Sequence, residues 1–319
     1  MLTLFFNYNN LYSHLLYQTL YILNLNIPTS TTKINSNLFD KKEVEVFIKR
    51  DDLIDKIISG NKWRKLKYNL KQAKKEGYNS ILSFGGDYSN HLHALSFAAN
   101  KTGLQSIGVV RGEKKPTLTP TLTFCVKQNM KLYYLERSKY RVEKYSRNTL
   151  LKLEKKFGSF YMIPEGGNNE LGIKGCQEII KEVGIPFDFL CCPVGTGCTA
   201  SGLIQSMSQQ QKFIGFCAFH KVDEQKNNII KSCGSKLYAN WKLIPDNHFG
   251  GFAKINSNLI KFVRQFYLEH QIELDLIYMG KLFYSLFNLI ERGFFPKKTK
   301  ILVIHTGGKQ GLKGFNFSY

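Results

Sequence analysis

Between residues 44 and 305, short apolar stretches alternate with longer amphipathic ones, separated by polar loops that carry glycine. Val44 to Arg50 alternates apolar and polar side chains, the period of a half-buried strand. Further strands are expected over Ser80 to Phe84, Gln105 to Val110, Lys131 to Leu135, Phe187 to Pro193, Phe213 to Phe219 and Lys300 to His305. Between them come helical stretches. The first runs from Lys62 to Lys75, with Leu66, Leu70 and Ala73 on one face and Gly77 placed to stop it. Others are expected over His91 to Ala99, Thr121 to Gln128, Tyr140 to Lys156, Gly172 to Val183, Ser201 to Gln209, Ser257 to His270 and Lys281 to Gly293. Residues 222–250 are polar and give no assignment. Strands joined through helices must run parallel and be covered on both faces, so the expected class is α/β. No period of 20 to 50 residues repeats, which argues against a solenoid or propeller.

A chain of 319 residues has room for about two domains. Its 43% hydrophobic and 22% charged residues are the profile of a globular protein rather than a disordered one. The 45 Lys and Arg against 24 Asp and Glu give a net charge of +21, which first suggests a polyanion partner. The basic residues are spread along the chain instead of forming one arm, and Lys, Asn, Ile, Phe and Tyr, the products of AT-rich codons, are abundant throughout. No specific nucleic acid partner is therefore expected. Seven scattered cysteines, an odd number without C-x-x-C spacing, fit a reducing compartment and make no zinc pattern. Met1 to Leu25 is apolar but broken by Asn7, Asn9, Asn10, His14, Gln18 and Asn24, without a basic start or a small-residue cleavage site. The expectation is a cytoplasmic protein with neither a membrane partner nor a bound metal.

Two loops carry chemistry. In Gly195-Thr196-Gly197-Cys198-Thr199-Ala200-Ser201-Gly202, glycines let backbone N–H groups turn toward one point ahead of a helix. The hydroxyls of Thr199 and Ser201 can add donors, and the whole suits a phosphate monoester. The loop lacks the G-x-x-x-x-G-K-[ST] pattern of a nucleoside triphosphate site and is a poor match to a dinucleotide fingerprint. The alternative is an ordinary strand-to-helix turn. The second is Ser59-Gly60-Asn61-Lys62-Trp63-Arg64-Lys65-Leu66, where a lysine follows a glycine turn at a helix start. Burial or neighbouring cations would free its amine to attack a carbonyl. Position alone does not separate Lys62 from a solvated surface lysine.

Taken together, Ile48-Lys49-Arg50-Asp51-Asp52 and Gly60-Asn61-Lys62-Trp63-Arg64-Lys65-Leu66 resemble the K-R-[ED]-D…G-N-K-x-R-K-L of the 1-aminocyclopropane-1-carboxylate (ACC) deaminase/D-cysteine desulfhydrase family. These are enzymes dependent on pyridoxal 5′-phosphate (PLP). The similarity continues, in order, through Phe84-Gly85-Gly86-Asp87-Tyr88-Ser89-Asn90-His91, Pro164-Glu165-Gly166-Gly167, the 195–202 loop, Tyr278-Met279-Gly280-Lys281 and His305-Thr306-Gly307-Gly308. The resemblance implies the tryptophan-synthase-β-like fold (fold type II): two open, mostly parallel sheets flanked by helices, with the cofactor between two domains. It divides the chain into a large domain, 1–64 with 164–319, and a small one, 65–163. It also implies a homodimer acting on a small amino acid.

The same resemblance implies roles. Lys62 would bond the cofactor aldehyde and carry the Cα proton, and Ser89 would face the substrate carboxylate. Asn90 would bond the cofactor's 3′-oxygen, and Tyr278 would stand near the substrate. Lys65, the Thr199 hydroxyl and the backbone of Gly195, Thr196, Gly197, Cys198, Thr199 and Ala200 would hold the phosphate. Thr306 would lie near the pyridine nitrogen. ACC deaminases of this family typically carry Glu, Leu and Gln where this chain has Met279, Thr306 and His91, and desulfhydrases carry Thr, Thr and His. Two of these three positions side with the desulfhydrases and none with the ring-opening enzymes. The expected reaction is accordingly β-elimination on a small D-amino acid such as D-cysteine, with ACC deamination or another PLP-dependent lyase reaction as the alternative. A protein that binds PLP with little turnover is the reading outside enzymes. Phe249 or Phe252 falls where the family has its second active-site tyrosine.

Overall fold

The computed structural model describes residues 23–220, 222–234, 240–245, 249–315 and 317–319. All but the last three residues of the Met1 to Leu25 segment lie outside these. The chain opens with strand β1 (Thr31–Ile34), helix α1 (Asn37–Lys41) and β2 (Glu45–Lys49), then α2 (Asn61–Lys75). Next come β3 (Ser80–Gly85), α3 (Asn90–Lys101), β4 (Gln105–Arg111), α4 (Pro120–Lys127) and β5 (Lys131–Leu135). Two basic helices, α5 (Arg137–Glu143) and α6 (Arg147–Phe157), lead to β6 (Tyr161–Met162) and α7 (Glu170–Lys181). The remainder is β7 (Phe189–Val194), α8 (Cys198–Ile204), β8 (Lys212–Cys217), α9 (Asp223–Cys233), β9 (Trp241–Ile244), α10 (Ser257–His270), α11 (Met279–Glu291) and β10 (Lys300–Ile304).

The strands sort into two sheets. Six form the order β1-β2-β10-β7-β8-β9, antiparallel only between β1 and β2. Four form β5-β4-β3-β6, parallel throughout. The apolar run of β7 is buried at every position, as a central parallel strand covered on both faces must be. One face of the six-stranded sheet meets Phe39 of α1, Phe266 of α10 and Phe283 of α11; the other meets Ile173 and Ile179 of α7 and Leu203 of α8. The four-stranded sheet packs Leu66 and Leu70 of α2 with Leu92 and Leu95 of α3 on one side, and Tyr140 and Leu153 on the other. The expected α/β class and paired sheets are what the chain forms.

Several element boundaries differ from expectation. The single basic helix over Tyr140 to Lys156 is two, because Ser146 leaves helical geometry and accepts from Thr149 N (3.2 Å) to cap the second. The helix expected from Ser201 starts at Cys198, directly on the left-handed Gly197 (φ 94°), and ends at Ile204. The helix expected from Lys281 starts at Met279, where the Asp275 carboxylate accepts from the backbone N–H groups of Ile277, Tyr278 and Met279. Residues 222–250, unassigned from sequence, contain α9 and β9.

Beneath the start of α2 lies a buried ion network. Arg64 donates to both carboxylate oxygens of Asp51 (each 3.0 Å) and to Glu182 at the end of α7. Lys49 joins Glu182 (3.0 Å), and Thr29 Oγ1 donates to Asp51 (2.8 Å). A Cβ at Gly175 of α7 would lie 1.7 Å from Arg64 O, so only glycine permits the two backbones to meet here. Removing one partner from such a network strands a buried charge. Arg64→Ala is therefore expected to cost about 3–5 kcal/mol, read as a fall in the urea midpoint. Lys33→Ala, which breaks the exposed Lys33–Glu45 pair, should barely move that midpoint.

Candidate active site

Five segments bring polar groups to one place, each following the C-terminal end of a parallel strand, where α/β sheets hold their ligands. They are the start of α2 after β2, the loop from Gly86 to Asn90 after β3, Glu165 to Gly167 after β6, Gly195 to Gly197 after β7, and Thr306 to Gly308 after β10. Gly60, at φ 67°, lets the α2 turn touch the last of these: a Cβ there would lie 1.9 Å from Thr306 O. Gly60 N also donates to Asp51 O (2.9 Å), so the residue before the Lys62 turn is fixed by the helical turn Asp51–Leu53 that follows β2.

Lys62 lies partly open to the cleft in a setting that disfavours its charge. Burial is the largest cause, the Lys65 cation adds to it, and Asp275 opposes both, leaving the amine's pKa lowered to about 7. Its Nζ donates to Asn61 Oδ1 (2.5 Å), and Asn61 Nδ2 donates to Thr199 Oγ1 (2.8 Å). Asn61 thus links the lysine to the loop after β7. The G-N-K triplet had contained this residue, but sequence alone assigned it no role.

That loop has the features of an anion cradle. The Thr196 hydroxyl is buried and has no partner among the described residues, and it sits against Gly166, where a Cβ would come within 3.1 Å of it. Lys65, itself buried, reaches Gly166 O (3.0 Å) with one of its three donors. Backbone N–H groups in the first turn of α8 have no acceptor within the helix. Tyr278 lies over this end of the loop: a Cβ at Gly195 would stand in ordinary contact with its Oη, at 3.5 Å. Cys198 Sγ donates to Gly167 O (3.2 Å), and Ala200 packs into the core, so these two present only their backbone. Ser201 corrects the reading of the loop: its hydroxyl is turned back onto Gly197 O (3.0 Å) and gives the cradle no donor. An orphaned hydroxyl, a lysine with donors to spare and glycine at the close approach fit the phosphate of PLP.

On the opposite side, Ser89 caps α3, accepting from Leu92 N (3.2 Å) and keeping its O–H for another acceptor. Asn90 Oδ1 accepts from Gln310 Nε2 (2.5 Å), and Thr121 Oγ1 holds Gln310 Oε1 (2.8 Å), which sets the amide's orientation. His91 is buried with Nε2 on Ser83 Oγ (2.9 Å); burial, then Lys65 and Lys62, lower its pKa to about 3, so the ring is neutral. Thr306 donates from both N (3.5 Å) and Oγ1 (3.6 Å) to the sulfur of Met279. Tyr278 is pushed above the usual phenol range by burial and by Asp275 and Glu165. Of the two candidate phenylalanines, Phe252 stands beside Tyr278 (ring centroids 6.2 Å), whereas Phe249 packs on Tyr284 behind it. Gln310 and Asp275 also help build the site: Asp275 lies outside any glycine loop, and Gln310 lies two residues past the His305-Thr306-Gly307-Gly308 stretch that marked the others.

The family described as "Pyridoxal-phosphate dependent enzyme" matches residues 24–307. A putative ACC deaminase of Pyrococcus horikoshii is 31% identical over 280 residues, covering 84% of this chain and 85% of its own. A bifunctional mitochondrial D-cysteine desulfhydrase/ACC deaminase of Arabidopsis thaliana is 29% identical over 84% of this chain and 73% of its own. A crystal structure of an ACC deaminase homologue superposes with TM-score 0.78 at 27% identity, covering 92% of this chain and 95% of that one.

The charge setting of Lys62 has a direct consequence. In cofactor-free protein, acylation of Lys62, followed by peptide mapping, is expected to rise with a midpoint near pH 7, against 10.5 for an ordinary lysine. Lys65→Met removes a repelling cation and should raise the midpoint. Asp275→Asn removes an opposing anion and should lower it. A midpoint at the ordinary lysine value would refute this account.

Proposed function

The chain belongs to the pyridoxal-phosphate-dependent enzymes, in the ACC deaminase/D-cysteine desulfhydrase group, and on that footing we propose that it performs β-elimination on a small D-amino acid such as D-cysteine, releasing sulfide, pyruvate and ammonia. The observation that carries this reading is the Thr306–Met279 pair. Thr306 bonds a thioether, and both side chains are neutral. A carboxylate beside the pyridine nitrogen deepens the electron sink, as ring opening demands, whereas a neutral pair leaves a shallower one that suffices when a thiolate departs from Cβ. When bound, PLP supplies that sink.

The protein's own groups do the rest. Lys62, its pKa lowered to about 7 so that a substantial share of the amine is uncharged at neutrality, takes the proton from Cα. Lys65, Thr199 and the backbone of Gly195 to Ala200 hold the phosphate, with the Thr196 hydroxyl adding a donor. Asn61 holds the lysine against that loop. Asn90 bonds the cofactor's 3′-oxygen. Ser89 donates to the substrate carboxylate, and the neutral His91 beside it adds no charge. Tyr278 stands over the substrate side of the cleft. We take 65–163 as the small domain against 1–64 with 164–319, a homodimer as the assembly by family analogy, and a reducing cytoplasm as the setting of seven buried free thiols. No helix among the described residues is long and apolar enough to cross a membrane.

ACC deamination is the second reading, favoured by the names of several relatives, including enzymes of Pyrococcus and Rhizobium leguminosarum. One comparison separates the two. Loaded with PLP, the protein should show the visible absorbance of cofactor joined to lysine, and Lys62→Ala should lose it along with about 10²–10⁴-fold in turnover. D-Cysteine should yield sulfide and pyruvate. Vigorous 2-oxobutyrate formation from ACC, with cysteine inert, would overturn the proposal in favour of ring opening.

A further inference from the structure

Beside Tyr278 stand two aromatic rings with no group that could hold a cofactor or move a proton. Phe252 lies edge-on to Tyr278, with ring centroids 6.2 Å apart, and stacks face to face on Phe219 at 5.2 Å and 8°. It is 43% exposed, an apolar ring left open to solvent beside the residue that leans over Gly195. Its position is built into the backbone. Gly250, Gly251 and Ala253 all have positive φ (83°, 103° and 59°), and buried Lys281 donates to Gly251 O (2.7 Å), tying the loop to α11. Two phenyl rings offer a substrate neither donor nor acceptor. These two rings therefore suit an apolar group and give nothing to a hydroxyl.

Resting on the β-elimination reading, we propose that Phe252 and Phe219 form the specificity-determining wall for the group that leaves Cβ, and that the substrates are β-thio-substituted amino acids bearing an apolar or aryl group on sulfur, with cysteine the smallest of them. The step balances without an oxidant or reductant. The Cα proton passes to Lys62 Nζ, a Cα–Cβ double bond forms, and the Cβ–S bond breaks with its electron pair leaving on sulfur. The released enamine takes up water to give pyruvate and ammonia. A thiol has a pKa of about 8.5 and departs as thiolate near neutral pH without an acid. Hydroxide leaving from serine must be protonated as it goes, and the phenol at this wall, Tyr278, is made a weaker acid by its burial. The chemistry of the leaving group and the surface it departs along agree.

The test uses the PLP-loaded protein with S-phenylcysteine, cysteine and serine, both enantiomers of each, following thiol or sulfide and pyruvate. The ratio of kcat/KM for S-phenylcysteine over cysteine should fall roughly three- to tenfold in Phe252→Ala, the worth of one aromatic contact, and be largely kept in Phe252→Tyr. The ratio cancels any loss of fold or cofactor common to both substrates. Homophenylalanine, with CH₂ in place of the sulfur, should inhibit cysteine turnover competitively, with a Ki that rises by the same factor in Phe252→Ala. An unchanged ratio and Ki, or serine turned over as fast as S-phenylcysteine, would overturn the wall while leaving cysteine elimination standing. Loss of thiol release from every cysteine derivative, with 2-oxobutyrate formed from ACC, would overturn the underlying reaction instead.

Discussion

Everything in the cleft depends on where α2 begins, and that is decided by charges sealed beneath it. Asp51 takes both faces of the junction: its carboxylate holds Arg64, and its carbonyl accepts from Gly60 N. Arg64 sits two residues past Lys62, so the lysine turn is clamped from both sides. Glu182 extends the clamp to α7, whose Gly175 lies against the Arg64 carbonyl. A network of this kind adds little net stability over a well-packed apolar core. What it gives is geometry, because a half-made version would leave buried charges unpaired. The helix start is thereby held to one register, and Lys62 with it.

The electrostatic state of the lysine follows from this placement. Three cationic groups, Lys62, Lys65 and Arg64, lie within one turn of helix, but they meet different fates. Arg64 faces down and is neutralised by two carboxylates. Lys65 faces the cradle and keeps donors for an anion. Among the described residues, Lys62 faces the cleft with a neutral amide as its hydrogen-bond partner, so its charge is poorly supported. Occupation of the cradle by phosphate would offset the Lys65 cation and raise the affinity of Lys62 for a proton, which suits a group that must accept one from Cα.

How much of this was legible in the sequence varies with the kind of signal. Parallel strands covered by helices followed from the alternation of apolar and amphipathic stretches, their division into two sheets from the family resemblance, and β7 from its apolar run. The loops holding Ser89, Gly195 and Thr306 were marked by glycine. Boundaries were lost where side chains, not periodicity, set them: Ser146 splits a continuous basic pattern, and Asp275 pulls the start of α11 back to Met279. The role of Ser201 was misread because a hydroxyl in a glycine loop looks like a donor until the helix is seen to begin ahead of it. Asn61 and Gln310 could not be ranked from sequence, since each acts through a partner far along the chain. The Asn61–Thr199 pair spans 138 residues and the Asn90–Gln310 pair 220.

The composition gains meaning in the same light. Lysine is so abundant that its presence at any position says little, yet the buried lysines are each tied to a specific acceptor. Lys49 reaches Thr29 O and Glu182, Lys65 reaches Gly166 O, Lys67 pairs with Glu178, and Lys281 reaches Gly251 O. An ammonium deprived of water must be bonded, so these positions are constrained by the fold in a way that the solvated lysines are not. Glycine is constrained for the complementary reason. At Gly60, Gly172, Gly175 and Gly202 a Cβ would come within 2.7 Å of a backbone carbonyl. Such contacts draw α2, α7, α8 and the Thr306 turn together around Lys62, and they demand the absence of a side chain whatever the surrounding composition. The site is thus specified less by its own conspicuous residues than by the points at which one backbone is allowed to touch another.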